Sequence, residues 1–156
     1  MFQIRKANLK DIDQIKILFK ETILYINHKD YAVDEINDWI SCGENDNRWK
    51  SLINELYFII AENDENIIIG FSAISKDGYL NSMFVHKDCQ NAGVATTLYK
   101  EVEKYAINNN IHKITSEVSI TALSFFENKG FRIDEEQKRI ANKLYLTNYK
   151  MSKELV

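Results

Sequence analysis

Apolar and polar positions change period along the chain in a way that predicts alternating strands and helices. Phe2 to Ala7 alternates with period two, and Asn8 then offers a cap for a helix whose apolar positions Leu9, Ile12, Ile15, Leu18 and Phe19 recur at helical spacing. Ala32 to Ile40 predicts a shorter helix with Val33, Ile36, Trp39 and Ile40 on one face, Ser41 to Asn47 a turn, and Arg48 to Glu55 a third helix. Leu56 to Glu62 and Ile67 to Ser75 read as antiparallel strands about the turn Asn63-Asp64-Glu65-Asn66, and Asp77-Gly78 turns the chain into a third strand, Tyr79 to Val85.

A helix from Val94 to Asn109 carries the stripe Val94, Leu98, Val102, Tyr105 and Ala106. Lys113 to Ser119 follows as a strand, Thr121 to Asn128 as a helix ended by Gly130, and the last strands run from Phe131 through Lys143 to Met151. A helix between the strands at Tyr79 and Lys113 is a crossover, which makes that pair parallel within an otherwise antiparallel sheet. The expected fold class is α/β (α+β): one domain, 1–156, with a mixed, mostly antiparallel central sheet flanked by helices. The site is expected at the parallel pair.

Composition narrows the partners. At 45% hydrophobic and 28% charged residues the chain can bury a core, and disorder is excluded. A net charge of −3 without a dense Lys/Arg block argues against nucleic acid as a partner. No stretch approaches the roughly 18 apolar residues of a membrane span, and Met1 to Lys6 lacks the apolar run of a signal peptide. Cys42 and Cys89 are the only cysteines and have no paired spacing or neighbouring Cys/His cluster, so no metal site is expected. Together these predict a cytoplasmic protein without a membrane partner.

The candidate chemistry lies where the strand ending Phe84-Val85-His86 runs through Gln90-Asn91-Ala92-Gly93-Val94-Ala95 into the helix that continues with Thr96. A helix start leaves N–H groups unpaired and carries partial positive charge, and the small residues Ala92, Gly93 and Ala95 let a phosphate approach the backbone. Close packing of helix on sheet would call for the same small residues. The segment matches neither a P-loop nor the three-glycine dinucleotide fingerprint.

Gln90-x-x-Gly93-x-Ala95 resembles the pyrophosphate-binding motif of GNAT acetyltransferases, Arg/Gln-x-x-Gly-x-Gly/Ala. Downstream, Ser119-x-x-Ala122-x-x-Phe125-Phe126-Glu127-Asn128-Lys129-Gly130-Phe131 resembles the second signature of that superfamily, Asn-x-x-Ala-x-x-Phe-Tyr-Glu-x-x-Gly-Phe, and the element order fits the family to the Asn148-Tyr149-Lys150-Met151 strand. The resemblance implies an N-acetyltransferase that uses acetyl-CoA as cosubstrate and needs no metal. The parallel strands would splay to hold pantetheine, with Met83, Phe84 and Val85 bonding its amides, Gln90, Asn91, Ala92, Gly93, Val94, Ala95 and Thr96 holding the pyrophosphate, and Ser119 and Phe126 along the cofactor channel. A backbone N–H near Phe84 would polarise the thioester.

Two departures stand out. Phe126 occupies the position of the tyrosine that protonates the departing thiolate in many family members, and Ser119 replaces the usual Asn. An attacking amine must also lose a proton. Tyr79, where some members place a glutamate base, and Glu117, on one strand face with Ser119, are the candidate catalytic residues; a strand-end aromatic and an ion-paired carboxylate are the alternative readings. His28, Tyr31 and Trp39 lie around the first two helices, which often line the acceptor pocket in the family, with core or surface roles as the alternative. The acceptor amine stays open, as does the oligomeric state, a homodimer included. A non-catalytic acyl-CoA sensor or an interaction module is the competing function.

Overall fold

The computed structural model describes residues 1–155. Its strands are β1 (Phe2–Lys6), β2 (Tyr57–Asn63), β3 (Ile68–Ile74), β4 (Tyr79–Val85), β5 (Lys113–Ser119), β6 (Arg132–Ile140) and β7 (Tyr145–Glu154). The helices are α1 (Ile12–Tyr25), α2 (Val33–Ser41), α3 (Asp46–Glu55), α4 (Val94–Asn108) and α5 (Leu123–Asn128). The strands form one sheet in the order β1-β2-β3-β4-β5-β7-β6, antiparallel throughout except for β4 and β5. The mixed, mostly antiparallel sheet with one parallel pair is the expected fold class.

Each face of the sheet has its own core. Ile59 and Ala61 of β2 pack with α4, β5 and Phe126, while Phe58 and Ile60, one residue out of phase, pack with α1, Ile36 of α2 and Trp49 of α3. That is the two-residue period of a strand covered on both faces. β3 is buried along its whole length, as a central strand must be. Gly70 sets how close α4 lies, because a Cβ there would stand 2.9 Å from Val94 Cγ1 and 3.0 Å from Leu98 Cδ1.

Local chemistry corrects several sequence boundaries. Asn8 does cap, but it caps a short 3-10 turn: its side chain accepts from the Lys10 amide, while the Asp11 carboxylate accepts from the Asn8 amide. α1 therefore starts at Ile12, and Leu9 is left half exposed rather than on the buried stripe. Asp11 is drawn into this cap because Arg5 grips it with two 2.9 Å hydrogen bonds and also pairs with Glu62. The last strand begins at Tyr145, not Lys143, because residues 141–144 make the turn between β6 and β7. β6, an edge strand, is exposed and reads Arg-Ile-Asp-Glu-Glu-Gln-Lys-Arg-Ile, a charged edge that discourages further strand pairing.

Two irregularities position the site. Ala73 pairs with Ser82 but Ile74 pairs with Leu80, so Asn81 is an extra residue that bends β4. β4 and β5 pair only at Tyr79–Thr115 and Leu80–Ser116. Beyond the bulge they separate and leave a cleft between residues 81–85 and 117–119. No helix among the described residues is long and apolar enough to cross a membrane.

Candidate active site

A cavity of about 730 Å³ opens at the cleft and runs from the start of α4 to the α1–α3 face of the sheet. Its β4 edge follows from the ladder. His86 donates to the Ile69 carbonyl at 2.8 Å, and by the alternation of an antiparallel pair the main chains of Phe84 and Ser82 turn toward Phe71 and Ala73. Met83 and Val85 therefore turn theirs toward β5, where no strand lies beside them. The Val85 carbonyl is filled by the Thr22 hydroxyl at 3.0 Å and the Gln90 side-chain amide at 2.8 Å. This leaves the N–H of both residues and the carbonyl of Met83 facing the cleft. Phe84 offers its ring instead, stacked on Phe71 at 5.2 Å.

The loop after β4 delivers the start of α4 to the same cleft. Asn91 and Gly93 take left-handed backbone, φ 60° and 83°, and Gly93 is the N-terminal cap of the helix. The first turn holds no acidic residue, so its free N–H groups keep their positive potential. A Cβ on Gly93 would meet nothing within 4 Å, so glycine is required there by backbone conformation and the space above it is open. Asn91, Val94, Ala95 and Thr96 line the cavity, whereas Ala92 stands exposed at the loop tip outside the lining. Gln90 points inward and fixes the loop by donating to the Val85 and His86 carbonyls.

Across the cleft, Ile114, Ser116 and Val118 are buried, and Thr115, Glu117 and Ser119 alternate onto the other face. Glu117 is gathered by residues from two other strands, β4 and β6. Tyr79 donates its hydroxyl to Oε1 at 2.9 Å, Gln137 of β6 donates its amide to Oε2, and Arg139 Nη1 lies 3.5 Å from Oε2. Asn148 of β7 orients Gln137 by accepting from the same amide at 2.9 Å. Burial and the facing carboxylate push the Tyr79 phenol well above its ordinary value, so it stays protonated as the donor to Glu117.

The remaining sequence candidates separate. Ser119 lines the cavity, and its hydroxyl accepts from the Ala122 amide at 3.1 Å, holding the turn into α5. Phe126 touches the cavity but is 3% exposed, packed edge-on against Phe125 and Phe131, and it has no proton to give. Trp39 and Tyr31 line the cavity; His28 is exposed outside it. The Tyr31 hydroxyl donates to the Thr147 carbonyl at 2.8 Å and accepts from the Ile120 amide at 3.0 Å, which ties α1–α2 to the ends of β5 and β7. Burial pushes its phenol up to about 12.

Sequence reasoning missed Gln137, Arg139 and Asn148 around Glu117, and Thr22 on the Val85 carbonyl. The β5–β7 register brings Ser119 opposite Asn148, and the β6–β7 register brings Asn148 opposite Gln137. That registry was the only available signal, and it needs the sheet order. Among the described residues no group of three His, Cys, Asp or Glu side chains could hold a metal ion.

Comparison with known proteins bears on the family and the fold. An Escherichia coli (strain K12) protein described as the uncharacterized N-acetyltransferase YafP is 26% identical over 149 residues, spanning 96% of this chain and 93% of its own. A GCN5-related N-acetyltransferase from Rhodopseudomonas palustris superposes with a TM-score of 0.94 at 22% identity, covering 98% of this chain and 95% of that one. The PaiA N-acetyltransferase of Thermoplasma acidophilum, solved with coenzyme A, superposes with a TM-score of 0.81 at 18% identity over 99% of both chains. The family model for the acetyltransferase (GNAT) domain matches residues 27–153, and the chain belongs to the GNAT acetyltransferase family.

Proposed function

We propose that this chain is an acetyl-CoA-dependent N-acetyltransferase that passes the acetyl group directly to a primary amine in a ternary complex. The observation that carries this reading is the unpaired main-chain edge at Met83 and Val85, which runs straight into the Gly93 turn and the open start of α4. An unpaired strand edge suits the amides of pantetheine, and a helix start suits a pyrophosphate held over Asn91 to Thr96. The coenzyme A complex of the Thermoplasma relative supports the same cosubstrate class.

The bound thioester supplies an activated acyl carbon and a thiolate able to leave without a strong acid. A cleft-facing N–H of β4, that of Met83 or Val85, stabilises the negative charge that develops on the carbonyl oxygen, commonly the largest contribution in acyl transfer. Glu117 receives the proton of the attacking ammonium, directly or through a water, and Tyr79, Gln137 and Arg139 hold its carboxylate in place. Tyr79, a donor to Glu117, serves as a positioning residue rather than the base. Phe126 leaves no tyrosine to protonate the thiolate, and the chain relies on proximity and orientation.

That absence favours one competing reading, an acyl-CoA sensor without turnover. Calorimetry with acetyl-CoA followed by thiol release across a panel of amines separates the two. The proposal expects saturable binding and amine-dependent release. Binding with no release from any amine would leave the sensor, and no binding would leave an interaction module on a GNAT scaffold.

A further inference from the structure

We infer that the acceptor is a monoamine carried on an aromatic or apolar body, and not a polycation. The inference rests on the acetyltransferase reading and concerns the part of the cavity beyond the β4 edge. Three half-buried rings make its wall: Tyr31 meets Trp39 edge-on at 5.5 Å, and Trp39 meets Phe84 at 6.4 Å and 63°. Phe19 and Trp49, both buried, stand behind them and fix their positions, with Phe19 at 5.0 Å from Phe84. Rings held by a rigid core present a preformed apolar surface, and their faces also attract a single ammonium.

Formal charge in the lining is sparse and of the wrong sign for a polycation. Among the described residues that line the cavity only Arg48, Glu117 and Arg139 are charged. Glu117 is the single carboxylate, and Arg139 already neighbours it at 3.5 Å. A first ammonium has one carboxylate partner; a second, a few ångströms further along a polyamine or an aminosugar, would find no carboxylate among the described lining residues. Asp30, Glu35 and Asp38, on the segment that carries Tyr31 and Trp39, lie outside the lining and are already engaged: Asp30 accepts from Thr121, Glu35 from the Ala32 amide, and Asp38 from three amides of the β6–β7 turn.

Ser82 adds a second polar point. Its Oγ is buried and has no hydrogen-bond partner among the described residues, and Ser82 lines the cavity on the sheet face it shares with Phe84. A buried hydroxyl without a partner is uncommon in a folded chain, and a ligand N–H or a bound water would satisfy it. One carboxylate and one free hydroxyl beneath an aromatic wall make a site for one amine head and an apolar tail.

The chain's two tryptophans, Trp39 and Trp49, both line this cavity, so their fluorescence reports occupancy. Coenzyme A affinity is measured first by calorimetry; phenethylamine, hexylamine and spermidine are then titrated into the coenzyme-loaded protein, or into the free chain if coenzyme A does not bind. The expected result is saturable binding of the two monoamines with a Kd about tenfold or more below that of spermidine, because the monoamines lay an apolar tail on the ring wall while spermidine must bring a further ammonium that finds no carboxylate. Trp39→Ala should erase that advantage for phenethylamine while leaving coenzyme A affinity unchanged. Spermidine binding as tightly as the monoamines, or monoamine binding indifferent to Trp39→Ala, overturns the inference. Failure of coenzyme A to bind sinks the acetyltransferase reading instead, and the ranking of amines on the free chain still decides which class of amine the cavity takes.

Discussion

The two halves of the cavity are built by different means. Along β4 and the start of α4 the available groups belong to the main chain: amides at Met83 and Val85, a left-handed turn at Asn91 and Gly93, and the first turn of a helix. On the proposed acceptor side the available groups are side chains that come from α2 and the segment before it, β4, β5, β6 and β7, and they hold one another in place. Main-chain recognition tolerates wide variation in side chains provided that the backbone keeps its path. Side-chain recognition fails or changes with single substitutions, which makes it the half that can diverge between relatives of one fold.

If that contrast is sound, a substitution that obstructs the main-chain half should have the largest effect. Gly93→Glu places a negative charge where the pyrophosphate is proposed to sit and puts a side chain on left-handed backbone. The expected outcome is a loss of coenzyme A affinity of about 100-fold or more, since a carboxylate at close range repels the pyrophosphate and its side chain fills the space above the turn. Calorimetry on a variant whose circular dichroism and melting remain native checks this. Undiminished affinity would move the pyrophosphate elsewhere and dissolve the contrast.

In the side-chain half the largest effect belongs to Glu117→Gln. The variant keeps the shape and can still be held by Tyr79 and Arg139, but it cannot take a proton. Loss of a general base lowers turnover by about 10²–10³-fold. Coenzyme A affinity should be unchanged, because Glu117 faces the acceptor side. Tyr79→Phe should cost less, about tenfold, because it removes one donor and leaves Gln137 and Arg139 on the carboxylate. Equal losses for the two variants would mean that Tyr79 touches the reacting atoms itself.

The same contrast explains what the sequence could convey. The main-chain half leaves local traces: a strand pattern, a glycine whose φ of 83° side chains rarely adopt, alanines beside it, and a helix pattern starting at Val94. All fall within about twenty residues, so Tyr79 to Val85 and Gln90 to Thr96 were legible as one unit. The fold was legible for a similar reason, since the crossover at α4 dictates a parallel pair. The side-chain half is non-local: Glu117 meets Gln137 and Arg139 only because β7 lies between β5 and β6, and no spacing along the chain encodes that order. Leu9 shows the limit on the local side, for its helical spacing was real, yet the Asn8–Asp11 cap closed a 3-10 turn there and delayed the helix by one turn, to Ile12.

The smallest effect tests how the side-chain half is assembled. Asp38 on α2 accepts hydrogen bonds from the amides of Asn142, Lys143 and Leu144, at 2.9 to 3.1 Å, and so latches the β6–β7 turn against the helix that carries Trp39. Arg139, Ile140 and Ala141 lead into that turn and line the cavity. Asp38→Ala should free the turn and raise the acceptor KM about threefold to tenfold, the range of one or two lost charge-assisted hydrogen bonds partly replaced by water, with coenzyme A affinity unchanged. The Leu144 amide, followed by those of Asn142 and Lys143, holds the Asp38 carboxyl below its free value of 3.8. A depressed folded value means that the latch is complete above the free value and is lost as pH falls through the lower, folded one. Hydrogen-exchange protection of residues 142–144 should therefore persist from neutral pH down to about 4 and fade only below it. In Asp38→Ala that protection should be absent at every pH; a turn that stays protected there would show that β-pairing alone holds it and that α2 does not position Arg139.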